Sequence, residues 1–146
     1  MNSKKLILEK KYIKRLIITT ILIIFVATCE AFIMAKSKEL METYIKLNKD
    51  KSVSDYLSLV MFSYFLNIIE PIAITVFTFY SHKEYGISSL YKIIFSAIIG
   101  LRILNTILKF ETSSLFYYLM IILYIIYLII LLNAPITKRK VKNGLF

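Results

Sequence analysis

The sequence predicts an all-α, polytopic membrane protein with four transmembrane helices and both termini in the cytoplasm. Three observations lead there. First, 58% of the 146 residues are hydrophobic and the mean hydropathy is +0.71, whereas soluble domains have an apolar share of roughly 45–50%. Second, the excess is gathered into four blocks about twenty residues long, the length of helix that crosses a bilayer. Third, the Lys and Arg residues that give the chain its charge of +10 are divided unequally between the flanks of those blocks.

The first block, LIITTILIIFVATCEAFIMA at residues 16–35, follows six basic residues, Lys4, Lys5, Lys10, Lys11, Lys14 and Arg15, with one acid, Glu9. No helix breaker follows until Asn48. Leu40, Tyr44 and Leu47 then recur at i, i+4 and i+7, with Glu42 and Lys46 as an i, i+4 pair. The first helix is therefore expected to continue past the bilayer as an amphipathic extension on the outer side. NKDK at 48–51 reads as a turn, and Ser52 with Asp55 three residues on reads as a capping box that starts the second helix. The second span, 57–80, contains the interior pair Glu70 and Pro71, and SHKEYG closes it with Gly86 at the C′ position. The third span runs from Ser88 or Ser89 to Leu108. Residues 109–113 form a tight connection with Thr112 or Ser113 as N-cap. The fourth span, 114–132, has no ionisable group besides tyrosines and ends at Asn133 and Pro135, ahead of the basic tail TKRKVK. The whole chain, 1–146, reads as one transmembrane domain.

Orientation follows from the rule that cytoplasmic flanks keep the excess of Lys and Arg. Twelve of these residues lie on the side of the termini and six on the other, where Glu39, Glu42, Asp50 and Asp55 balance the first loop. This positive bias accounts for the net charge, so no nucleic-acid partner is expected. The basic ends face anionic lipids instead. VATC at residues 26–29 resembles a lipobox, but Thr28 stands where a small residue is needed and the chain stays apolar after Cys29. One cysteine makes no internal disulfide or CxxC pair, and with His82 as the sole histidine no metal-ligand cluster can form. No cofactor or metal is expected. None of the asparagines begins a glycosylation acceptor. Richness in Ile, Lys, Asn, Tyr and Phe suits an AT-rich genome, which points to a bacterial plasma membrane.

The residues that carry chemical information are the ionisable groups within the spans, because a charge at the bilayer centre costs at least ~2.5–3.5 kcal/mol on insertion scales. They are Glu30, Glu70 and Arg102. At ~1.5 Å per residue, Glu30 and Arg102 lie ~6–7 Å toward the outer side of their span midpoints and Glu70 lies ~2 Å toward the cytoplasm. Thr28, Ser63, Asn67 and Asn105 collect at similar depths. Pro71 cannot donate to the carbonyl of residue 67, which adds a freed acceptor to the same region. Helices one to three are thus expected to share an intramembrane polar core of Glu30, Ser63, Asn67, Glu70, Arg102 and Asn105, with Ala27/Ala31/Ala35 and Ser96/Gly100 as small-residue ridges beside it. The core has three readings: an Arg102 pair with Glu30 or Glu70 that holds the bundle together, a proton or cation site at the unmatched carboxylate, or a docking point for a partner that brings a cation. The stripe Tyr117, Met120, Tyr124 and Tyr127 is either a docking face or part of the bundle's packing. The fourth helix, being the most apolar, is expected to be the most exposed to lipid or partner.

No phosphate loop, HExxH motif or Ser/His/Asp set is present, and no soluble segment is long enough to fold as a catalytic domain. The expected function is therefore non-enzymatic. The chain reads as a small accessory, assembly, immunity or modulator protein that binds another membrane protein, or itself as a homo-oligomer, through helix contacts and the outer loop. The alternative is a small, oligomeric proton- or cation-coupled transporter using Glu30 or Glu70.

Overall fold

The computed structural model describes residues 3–84, 87–108 and 114–136, and the side chains of these apart from 3–7 and 82–84. Among them the chain forms five helices: α1 (Ser3–Lys36), α2 (Lys38–Leu47), α3 (Val53–Glu84), α4 (Ser89–Leu108) and α5 (Leu115–Leu132). Four of them, all but α2, are long and apolar enough to cross a membrane. Their many Ile and Val residues, poor helix formers in water, are no obstacle there, because only a helix satisfies every backbone polar group within its own segment in lipid.

The expected extension of the first helix differs from what is observed. Ser37 interrupts the helix with an extended backbone (φ −75°, ψ 105°), and its hydroxyl accepts from the Leu40 amide, 3.3 Å, as the N-cap of a separate helix α2. A serine that offers its own oxygen to the first turn competes with the continuing backbone ladder. The next turn follows the sequence reading: Asn48 is the C-cap of α2, and the Lys51 amide donates to the Asn48 carbonyl at 2.9 Å. Ser52 and Asp55 form the reciprocal capping box, with the Ser52 amide on Asp55 Oδ2 at 2.8 Å and the Asp55 amide on Ser52 Oγ at 3.3 Å. Helix α3 runs on to Glu84, past the expected end of its span. Gly86 and the connection 109–113, including Thr112 and Ser113, lie outside the described residues. The residue at the N-cap of α5 is Ser114.

Helix α1 packs on α3 and α5, α5 packs on α4, and α2 rests on α3, with Tyr44 and Tyr56 rings 5.6 Å apart and the Tyr56 hydroxyl on the Met34 carbonyl at 2.7 Å. Helices α3 and α4 meet through side chains, including Phe77 against Phe95 and Tyr91. Leu16, Ile23 and Ala27 of α1, Ile74 of α3, Ile99 of α4 and Tyr124, Tyr127 and Leu131 of α5 fill the middle. Outside, Phe25, Phe62, Ile93, Leu101 and Ile122 are all more than half exposed, an apolar exterior suited to lipid and unlike that of a soluble bundle.

Two expectations are corrected here. Helix α5 is not the one turned outward: its stripe Tyr117, Met120, Tyr124, Tyr127 and Leu131 is buried at helical spacing, because those hydroxyls have acceptors only inside the bundle. Gly100 does not mark a close helix approach, since a Cβ placed there would meet nothing within 4 Å.

Candidate functional site

The polar groups of the spans separate into two layers along the bundle. In the half farther from α2, Thr20 and Thr75 share a hydrogen bond of 2.7 Å, Thr75 meets Tyr127 at 2.9 Å, and Tyr127 donates to the Pro71 carbonyl at 3.0 Å. Beside them Tyr12 and Tyr91 hydroxyls meet at 3.0 Å and Tyr91 bonds Thr78, whose hydroxyl also donates to the Ile74 carbonyl. This hydroxyl layer ties all four long helices together. The sequence reading missed it, although threonines on α1 and α3 in register with tyrosines on α4 and α5 were visible as a signal.

The second layer, nearer α2, holds the predicted polar core. Arg102 on α4 is buried, with its side chain 7% exposed, and points across to α3, where Nε donates to Glu70 Oε2 at 3.1 Å. Its Nη2 donates to the Leu66 carbonyl. Of the two partners offered to Arg102 by the sequence, Glu70 is the one that makes the ion pair, because a long side chain spans the difference in depth. Tyr124 donates to the Asn67 carbonyl at 2.8 Å. That is the acceptor freed by Pro71, which is therefore satisfied from α5 and not left open to a ligand. Tyr117 donates to the Thr106 carbonyl at 3.0 Å, near the end of α4 where intrahelical donors run out.

Between these groups lies a small cavity of about 80 Å3, open to the exterior. Each long helix supplies part of its wall: Glu30 and Ala31 from α1, Ser63 and Asn67 from α3, Arg102 and Asn105 from α4, and Tyr117 and Tyr124 from α5. Five of the six predicted core residues thus line one space, and the sixth, Glu70, borders it through its bond to Arg102. The expectation that helices one to three alone build the core is too narrow, since α5 contributes two tyrosines. The Ala27/Ala31 ridge forms cavity wall. Asn105 is exposed, while Glu30, Ser63 and Asn67 are half-buried.

Chemically, the cavity combines carboxylate, guanidinium, amide and hydroxyl groups against apolar walls. Such a set suits a small polar or cationic group. Its lining has neither histidine nor cysteine, and Tyr117 and Tyr124 already donate to backbone. Among the described residues no three His, Cys, Asp or Glu side chains stand close enough to hold a metal. The chain matches no family model, no curated protein and no solved structure.

Proposed function

We propose that this is a small, non-enzymatic integral membrane protein of a bacterial plasma membrane, with both termini cytoplasmic, acting as an accessory, assembly, immunity or modulator subunit by binding another membrane protein. The observation that carries the reading is α2. All ten of its residues escape burial, yet it is held in a fixed place by the Ser37 cap and the Tyr44–Tyr56 contact. A mixed surface of Leu40, Leu47, Glu39, Glu42 and Lys46, presented rigidly at the outer boundary, is a contact surface for a partner's outer segments. The Arg102–Glu70 pair then serves as internal glue.

Photo-crosslinking groups at Leu40 and Leu47 in cells test this. One defined protein adduct, lost on Glu42→Lys, supports it. Absence of any protein adduct at either position overturns it.

The cavity favours a second reading, a proton- or cation-coupled transporter using Glu30 or Glu70. Proton release from purified protein between about pH 5 and 9, with Glu30→Gln and Glu70→Gln for comparison, separates the two. A titrating group that one variant removes, at unchanged protein abundance, belongs to a transporter. A binding subunit shows the same proton release in wild type and in both variants.

A further inference from the structure

A second hollow lies at the other end of the bundle, between α1 and α5, and no part of the proposed binding role uses it. It is lined by Lys11, Arg15, Asn133 and Pro135 with Ile129 and Ile130, and its volume of about 160 Å3 is too small for a whole drug-sized ligand but leaves room for one headgroup phosphate. Lys11 and Arg15 are one helical turn apart on the same face of α1, and both are exposed. No carboxylate lines the hollow among the described residues. The Asn133 amide is turned back on the Ile129 carbonyl at 2.8 Å and the Tyr12 hydroxyl is bonded to Tyr91. The two cations are therefore the groups left to meet a ligand, and the ligand they suit is an anion.

The depth of the hollow narrows the choice. Arg15 immediately precedes the apolar run that begins at Leu16, and Asn133 immediately follows the one that ends at Leu132. The hollow is therefore level with the plane where both helices leave the apolar zone, with cations on the headgroup side and isoleucines on the chain side. We propose that it binds the phosphate of an anionic phospholipid, whose headgroup sits between Lys11 and Arg15 and whose first acyl methylenes cover Ile129 and Ile130. A free phosphate would leave that floor bare. Basic hollows between helices on the cytoplasmic side are where such headgroups dock.

The test is titration of phosphatidylglycerol into the detergent-purified full chain, followed by native mass spectrometry. Two double variants that remove equal charge are compared, Lys11→Gln/Arg15→Gln and Lys10→Gln/Lys14→Gln. Lys10 and Lys14 are exposed on the same turns but do not line the hollow. At about 1 kcal/mol per basic residue near the surface, the first pair is expected to bind roughly 30-fold more weakly than wild type, about 2 kcal/mol at ~1.4 kcal/mol per tenfold. The second pair, whose charges stand outside the hollow, is expected to weaken binding several-fold less than the first. Equal weakening in both pairs means diffuse surface attraction and overturns the site. Displacement of the lipid by inorganic phosphate overturns the lipid assignment in favour of a soluble anion. If the Lys11/Arg15 variant fails to fold, Ile129→Trp decides, since it narrows the hollow with every charge kept and Ile129 is half exposed. Unchanged lipid affinity in that variant overturns the proposal.

Discussion

Neutralising the two partners of the buried ion pair, singly and together, tests whether it holds the bundle, and the structure predicts an asymmetric result. In Glu70→Gln the guanidinium of Arg102 stays charged, because arginine does not lose its proton in proteins. Its side chain is only 7% exposed, so water cannot replace the lost partner. An uncompensated charge at this depth costs ~2.5–3.5 kcal/mol on insertion scales. The retained bond to the Leu66 carbonyl lowers that to an expected loss of about 2–3 kcal/mol. In Arg102→Gln the stranded group is a carboxylate that is 34% exposed and still meets solvent-sized space, so the expected loss is smaller, about 1–2 kcal/mol. The double variant has no charge to strand and puts amide against amide. It is expected to lose only about 1 kcal/mol, against about 3–5 kcal/mol for the two single losses together, a coupling of about 2–4 kcal/mol at the upper end of what residues in contact show. Unfolding by sodium dodecyl sulfate titration in micelles, followed by helical circular dichroism, gives all four free energies under one condition. Additive losses would refute the pairing. A larger loss in Arg102→Gln than in Glu70→Gln would refute the argument about which stranded charge is worse.

Three further outcomes follow from the same geometry. Tyr124→Phe removes the donor to the Asn67 carbonyl and is expected to cost about 0.6 kcal/mol and at most ~1.7 kcal/mol, the average and the maximum for bonds between membrane helices. The cost should shrink in a Pro71→Ala background, where the amide of residue 71 can supply that carbonyl, and an unchanged cost in the same titration would show that the carbonyl is not the shared acceptor. Ser37→Ala removes the cap of α2 and is expected to weaken that helix by about 1 kcal/mol, read as roughly fivefold faster amide exchange over residues 38–47 with the spans unaffected. Gly100→Ala places a methyl in open space and is expected to be neutral or to stabilise the monomer by up to about 1 kcal/mol. A loss of stability that depends on protein concentration would show that another chain packs there.

The parts of this fold that could be read in the sequence are those set by short-range chemistry. Four apolar blocks gave the four long helices, Ser52 with Asp55 gave the capping box, and Pro71 gave the freed carbonyl at residue 67. The set of residues around the cavity was legible for a related reason: an ionisable or amide group within an apolar block has few places to go, so Glu30, Asn67, Arg102 and Asn105 had to face one another at matching depth. What could not be read was the partner of each group. Asn67's freed acceptor is met by Tyr124, and that pairing depends on how α5 is rotated about its axis. A block of Leu, Ile and Tyr looks apolar all round, so the helical spacing of its tyrosine stripe could not decide between a docking face and packing within the bundle. Ser37 was overlooked because one serine in a helical pattern decides nothing until its hydroxyl is seen to accept from Leu40.

The two polar layers bear differently on the two functional readings. The cavity extends from Ala27 and Tyr124 in the middle of the bundle to Met34, Val60 and Tyr117 near α2. Beyond its floor lies the hydroxyl layer, where Thr20, Thr75, Tyr127, Thr78, Tyr91 and Tyr12 are hydrogen bonded to one another or to backbone. A transported ion would have to part several of these bonds at once, each worth on the order of 0.6 kcal/mol, while also separating helices whose contact is set by the Leu16, Ile23 and Leu131 packing. Such a motion is within the reach of a transporter but requires a second packing of α5 against α1 and α3. A group that enters the cavity from the α2 side and stays there requires none. The proposed binding role therefore asks for no change in helix packing, whereas the transporter reading does.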